Sequence, residues 1–321
     1  MSDLKNLVHK YGLVPRTVYP DVYSATASSR LNWLITTKLR EDALVLRDLI
    51  SSSAGEDKIL IAKAKMMEEI YGAMVIAFGR PPKPDESFNW TYTDKDGKYH
   101  RVKSTPTQFY KDSDFKAEEH FSLINDPRNE YNKLYTVDRL KNSPAPPSSP
   151  FLFVRGVLTL VSEGNGVAYV NTTLSTMKSV AIKMLKQNNP VFFGSDVGQF
   201  SNSQLGVMDT DLYDYKLGFN LSLRMTKGER IKVGSSAMTH AMVLTGVDLD
   251  GEAQPTKWRV ENSWGSAAGK EGYFLMTDRW FDEYVYQVVC GFEDAPKELV
   301  EIFQRGEPVV LEAWDPMVRP P

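Results

Sequence analysis

Residues 238–265 constrain the fold more than any other stretch of the chain. Met238-Thr-His-Ala-Met-Val-Leu-Thr-Gly-Val and Lys257-Trp-Arg-Val-Glu-Asn-Ser-Trp-Gly are runs rich in Val, Thr, Leu and Trp, and a cluster holding Asp250-Gly251 and Pro255 separates them. Such runs on either side of turn residues predict an antiparallel β-hairpin. Folded symmetrically about Gly251, the hairpin sets His240 opposite Asn262. Directly opposed residues leave the same face of a sheet with β-carbons about 4.5–5.5 Å apart. An imidazole and a carboxamide are therefore expected as neighbours.

That neighbourhood has a chemical use. An amide oxygen that accepts the proton of one ring nitrogen fixes the tautomer and leaves the other nitrogen for a nucleophile. With a cysteine as third member this is the Cys-His-Asn arrangement of thiol peptidases, and Trp264 is placed to shield the His–Asn bond from water. The plainer alternative makes His240 a half-buried strand histidine and Asn262 an edge residue that satisfies the turn.

His240-Ala-Met-Val-Leu-Thr-Gly-Val, Glu261-Asn-Ser-Trp-Gly and Lys270-Glu-Gly-Tyr273 together resemble the second half of the papain-like cysteine peptidases. Within that family, Met276-Thr-Asp, Trp280-Phe, Glu283-Tyr-Val-Tyr-Gln-Val-Val and Ala313-Trp-Asp-Pro-Met resemble the bleomycin hydrolases. So do Tyr11-Gly-Leu-Val-Pro, Thr105-Pro, Asn125-Asp-Pro-Arg, Tyr131-Asn-Lys-Leu-Tyr-Thr-Val and Phe193-Gly-Ser-Asp-Val-Gly. The resemblance implies an α+β, papain-like fold with helical and hairpin insertions and an antiparallel sheet carrying the His and Asn.

In that family the nucleophile lies in a Cys-Gly-x-Cys-Trp type motif upstream of the Tyr-Gly-Leu-Val-Pro region. This chain starts shortly before that region, so it is expected to be N-terminally incomplete, with the thiol and the oxyanion glutamine outside it. Its single cysteine, Cys290, follows an apolar strand and reads as a small buried hydrophobe. The resemblance implies an amide-hydrolysing cysteine aminopeptidase acting on peptides and bleomycin, with homocysteine thiolactone a further candidate. It also implies a homohexamer and, in some members, nucleic-acid binding. No cofactor and no metal are called for, and the chain alone is expected to be inactive. The other function class is a nucleophile-less subunit or pseudoenzyme used for assembly or nucleic-acid binding, and a Cys-His-Asn acyltransferase is a third reading.

The arm Trp314, Asp315, Pro316, Met317 matches the family segment that lies in the cleft and meets the substrate's amine. The ending Val-Arg-Pro-Pro departs from it and brings Arg319 beside that position.

Composition sets outer limits. At 321 residues and 42% hydrophobic the chain can bury a large core, and its net charge of -3 gives no pull toward nucleic acid. One cysteine argues for a reducing compartment, so a cytoplasmic place is expected, with a mitochondrial form open. No apolar run reaches spanning length, and no membrane partner is expected.

Four regions are predicted: 1–141 helical and hairpin insert, 142–164 an atypical Pro-rich and apolar insertion, 165–295 the β-rich half, and 296–321 the arm. In the first, residues 2–24 are expected as a short helix stopped at Gly12 and then an extended loop, helical spacing predicts helices near 26–52 and 55–78 packing methionines between them, and a hairpin about Asp96-Gly97 and a helix capped by Thr105 follow. In the third, a helix over 174–187 precedes a buried strand from Val191, a surface loop from Asp196 and an alternating strand over 219–226. Strands after Gly272 and Tyr284 complete the sheet, and a short helix follows over 297–304.

Overall fold

The computed structural model describes residues 2–137, 166–312 and 315–317, so Trp314 and the expected insertion at 142–164 lie outside the described residues. Its two compact units are Leu7–Phe115 and, among the described residues, those from Lys116 onward together with the start of the chain.

Helix α1 (Ser2–Tyr11) ends at Gly12, whose φ of 73° and amide bond to the Val8 carbonyl stop the helix. A side chain there would collide with the Pro106 backbone, to which Leu13 donates. The long helix expected over 26–52 is found as α3 (Ser29–Ser51), with the short α2 (Tyr23–Thr26) before it, and α4 (Glu56–Phe78) packs on α3. Lys38 of α3 bridges to Glu69 of α4 at 3.3 Å. The expected methionine seam is only partly closed: Met67 and Met74 are exposed, and Asp42 and Ile70 are the buried residues of the two helices. Strands β1 (Phe88–Thr93) and β2 (Tyr99–Ser104) form the hairpin expected around Asp96-Gly97, in a register centred on Asp96. The Asp94 carboxylate accepts the amides of Asp96 and Lys98 in that turn. Thr105 then caps α5 (Pro106–Asp112) by accepting the Gln108 amide.

The second unit runs β3 (His120–Ile124), β4 (Lys133–Val137), β5 (Ala168–Asn171), α6 (Leu174–Lys186) and β6 (Val191–Ser195). Next come β7 (Ser201–Asn202), β8 (Val207–Met208), α7 (Tyr215–Phe219) and α8 (Lys227–Lys232), then β9 (His240–Leu249), β10 (Pro255–Glu261) and β11 (Tyr273–Thr277). Helix α9 (Asp278–Tyr284), β12 (Val285–Gly291), α10 (Lys297–Arg305) and β13 (Val309–Leu311) complete it. The strands form one sheet in the order β13-β4-β5-β3-β12-β6-β9-β10-β11-β8-β7. Its middle, β3 to β11, is antiparallel as expected from the sequence. Towards the edges the sheet is mixed, since β3–β5, β4–β13 and β8–β11 are parallel pairs. Thus β3 and β4, read from sequence as part of the insert region, hydrogen-bond into the sheet that carries His240.

Helix α6 buries Met177, Val180, Ala181 and Met184, spaced three and four apart, against β9 and β12. Each large one contributes about 1.5–3 kcal/mol of transfer free energy. Trp258, Trp280 and Phe281 belong to the same core. Trp258 is oriented by its Nε1–H bond to Asp278 (3.0 Å) and Trp280 by its bond to the Gln199 carbonyl (2.7 Å).

The strand expected over 219–226 is absent. Residues 220–226 carry no regular structure, Leu221 and Leu223 are exposed, and no strand among the described residues pairs with them. Instead Thr226 and Glu229 close a reciprocal capping box that starts α8. The tail likewise holds a strand, β13, that its composition did not suggest.

Candidate active site

His240 is the first residue of β9 and pairs with Ser195 of β6 on one side. On the other side the hairpin is not symmetric about Gly251. Asp250 accepts the amides of Glu252 and Gln254, Ala253 takes a φ of 60°, and irregularities follow at Pro255/Lys257 and Arg259/Val260. Glu261 consequently faces Val243, two residues off the expected pairing. A slip of two keeps every side chain on its face, whereas a slip of one would reverse them all. Asn262, just past β10 and bonded through its amide to the Gly272 carbonyl, therefore stays on the face of His240 and meets it diagonally.

The contact is a hydrogen bond, His240 Nε2 to Asn262 Oδ1 at 2.9 Å. The Ser263 amide donates to the same Oδ1 at 2.8 Å, which identifies that atom as the oxygen and makes Nε2 the protonated ring nitrogen. Nδ1 is then the basic nitrogen. Asn262 is buried, and its Nδ2 has no partner among the described residues. Trp264 stacks on the imidazole with ring centroids 4.9 Å apart and is itself held edge-on by Phe274. It remains 44% exposed, so it covers the His–Asn bond while its outer face stays wet.

Cys290 cannot be the partner of this imidazole. Val285, Ser195 and His240 form one row across β12, β6 and β9, and Cys290 stands five residues along β12 from that row. At about 3.3 Å per residue the separation along the strand is roughly 17 Å. The thiol is fully buried opposite Phe121, and burial, with Asp294 nearby, pushes its pKa far up. A thiol in such surroundings carries no thiolate at neutral pH.

The arm is anchored at Asp315. Its Oδ1 accepts Arg128 Nη2–H and the Met317 amide, both at 2.9 Å, and Arg128 makes a two-point contact with buried Asp126. Pro316 joins this residue to Met317, which is buried in a cluster with Ile231 and Tyr286; Met238, two residues before His240, packs against the same cluster.

The sequence matches the Peptidase C1-like family over residues 2–318. The chain belongs to that family. It is 42% identical to bleomycin hydrolase of Rattus norvegicus over 98% of its own length and 66% of the rat protein. It is also 42% identical to cysteine proteinase 1, mitochondrial, of Saccharomyces cerevisiae strain JAY291, covering 97% of this chain and 62% of the yeast protein. The crystal structure of PepW from Lactobacillus rhamnosis superimposes with a TM-score of 0.86 at 42% identity, over 99% of this chain and 68% of that one. The chain thus spans under two thirds of the length of these curated relatives, and its fold is that of the papain-like C1 peptidases.

One group of residues in this family member escaped the sequence reading. Asp196 read as the start of a surface loop, yet Asp196, Ser236 and Tyr286 are buried, with Ser236 hydrogen-bonded to both of the others a few residues before His240. The available signal was position: an aspartate one step after a continuous apolar strand has little room to reach solvent.

Proposed function

We propose that these residues form the acid–base half of a cysteine peptidase that hydrolyses amide bonds from the amino end of peptides, with bleomycin-like amides among its substrates. The observation that carries the reading is the His240 Nε2–H bond to Asn262 Oδ1 under Trp264, which leaves Nδ1 for a thiol. In this reaction a thiolate attacks the amide carbonyl, forming an S–C bond, and His240 Nδ1–H protonates the leaving nitrogen as the C–N bond breaks. Water then attacks the thioester, Nδ1 takes its proton, and the S–C bond breaks to return the thiolate. Asn262 keeps the ring in the productive tautomer throughout, and Trp264 keeps water from the bond that does so.

In this reading the thiol comes from residues other than these 321, since Cys290 is buried far along β12. We assign the working assembly to a homohexamer in the cytoplasm and the arm around Asp315–Met317 to the amino-end preference, on the likeness to bleomycin hydrolases. Cys290's burial also favours a second reading, in which the 321-residue chain is a nucleophile-less subunit used for assembly. The two are separated by assaying an aminoacyl fluorogenic amide with the 321-residue polypeptide and with an extended polypeptide in which these residues follow a Cys-Gly-x-Cys-Trp segment. The peptidase reading expects hydrolysis only by the extended form, lost on His240→Ala. Activity of the shorter form that needs Cys290 would refute it, and an inert extended form would favour the subunit reading.

A further inference from the structure

Asp196 leaves β6 directly after Ser195, the residue paired with His240, and is 5% exposed. Its carboxylate collects three donors from one short stretch. Ser236 Oγ–H reaches Oδ2 at 2.7 Å, the Ala237 amide reaches Oδ2 at 3.4 Å, and the single Thr239 hydroxyl proton is shared between Oδ1 at 3.3 Å and the Ser195 carbonyl at 3.4 Å. That stretch is the connection from α8 to His240, and the Thr239 amide closes it onto the Ser195 carbonyl at 3.0 Å. Ser236 has one hydroxyl proton and spends it on Asp196, so it must accept from Tyr286 O–H at 2.6 Å. The result is a directed chain, Tyr286 to Ser236 to Asp196, in which all three residues are buried. Bonds to a carboxylate are about twice as strong as neutral ones, and serial bonds in a low-dielectric interior reinforce one another.

We infer that Asp196 is a positioning residue for His240: by tying down residues 236–239 from beneath, it sets where the imidazole stands and so holds Nε2–H on Asn262. The inference rests on the reading of His240 as the peptidase acid–base group. Asn262 and Trp264 fix the ring from one side, whereas Asp196 fixes the backbone that delivers it. Neither Asn262 nor Trp264 can compensate for a shift of that backbone, because both are borne on the far side of the hairpin.

The test is ¹⁵N-edited NMR of the His240 ring in the folded 321-residue chain, with His240→Gln used for assignment. In Asp196→Ala, exchange of the Nε2–H with solvent accelerates about tenfold, the loss of roughly one hydrogen bond, and the Nδ1–H tautomer becomes populated. Asp196→Asn, which keeps one acceptor oxygen but presents an amide to the hydroxyls, gives a smaller change, and Tyr286→Phe the smallest. Folded Asp196→Ala with an unchanged His240 spectrum overturns the inference. Should Asp196→Ala fail to fold, Ser236→Ala with Thr239→Val leaves the carboxylate in place while removing two of its donors, and an unchanged spectrum there overturns it equally. In the extended polypeptide the same variants lower kcat with little change in KM. Should that polypeptide prove inert while the tautomer still responds to Asp196, the peptidase reading falls and the positioning role stands.

Discussion

The β12–β6–β9 part of the sheet has two ends that differ in everything except their strands. At one end His240 is half-buried, capped by Trp264 and bonded to Asn262, and the segment leading into it is hydrogen-bonded to buried Asp196 through Ser236, which also pairs with Tyr286. Lys227 is buried at that end too, donating to the Val285 carbonyl over the Tyr286 ring. At the other end Cys290 faces Phe121 in a dry core, with its thiol pKa pushed up. A histidine and a cysteine on one sheet suggest a catalytic pair to anyone reading a composition table. The surroundings decide otherwise: partners and partial access make the imidazole usable, and desolvation makes the thiol inert.

This contrast can be broken most directly by exchanging the losses. In the extended polypeptide, His240→Ala should lower kcat/KM by roughly 10²- to 10⁴-fold, the usual worth of a general acid–base group. Cys290→Ala should leave kcat/KM within about twofold, since activity tracks the site and not the core. Comparable losses from both would erase the distinction between the two ends. Asn262→Ala comes next, with a fall in kcat of about 10²-fold, because a ring free to turn spends little time in the attacking geometry. Steady-state assays of Asn262→Ala that matched the unaltered protein would leave Asn262 with only a structural part.

Smaller effects sharpen the picture. Native protein should resist alkylation of Cys290 and react once unfolded, and Cys290→Ser should cost about 1–3 kcal/mol in urea unfolding by burying a hydroxyl without a partner. Rapid alkylation of the folded chain would show that this end is open. At the other end, burial lowers the Lys227 pKa from 10.5 to about 7. The unfolded chain then holds a proton that the folded chain has released between those two values, so stability rises with pH across that window. Lys227→Met should flatten the rise in urea midpoint between pH 7 and pH 9, and a slope unchanged in Lys227→Met would place its source elsewhere.

Where local rules act alone, the sequence foretells the structure well. Gly12 as helix stop, Thr105 with Pro106 as helix start and Asp96-Gly97 as a symmetric turn each need only neighbouring residues, and all are found. Long-range geometry is harder to foresee. The hairpin register differs by two residues because the turn that Asp250 closes centres on Glu252 and not on Gly251, and the two later irregularities cancel. His240 and Asn262 still meet, since the even offset preserves the face. The strand expected over 219–226 failed because alternation without a partner strand is not a strand, and α8 was overlooked although Thr226 and Glu229 announce it. Asp196 could not be assigned from composition because burial of a carboxylate depends on donors forty residues away.

The claim on which the chemistry turns is that the His240 ring carries its proton on Nε2 and offers Nδ1. The ¹⁵N shifts of the two ring nitrogens in the unaltered, folded chain, recorded at a pH where the imidazole is neutral, measure this directly. The account predicts a protonated Nε2 with slow solvent exchange and an unprotonated Nδ1. A proton on Nδ1, with Nε2 bare beside Asn262, would contradict it.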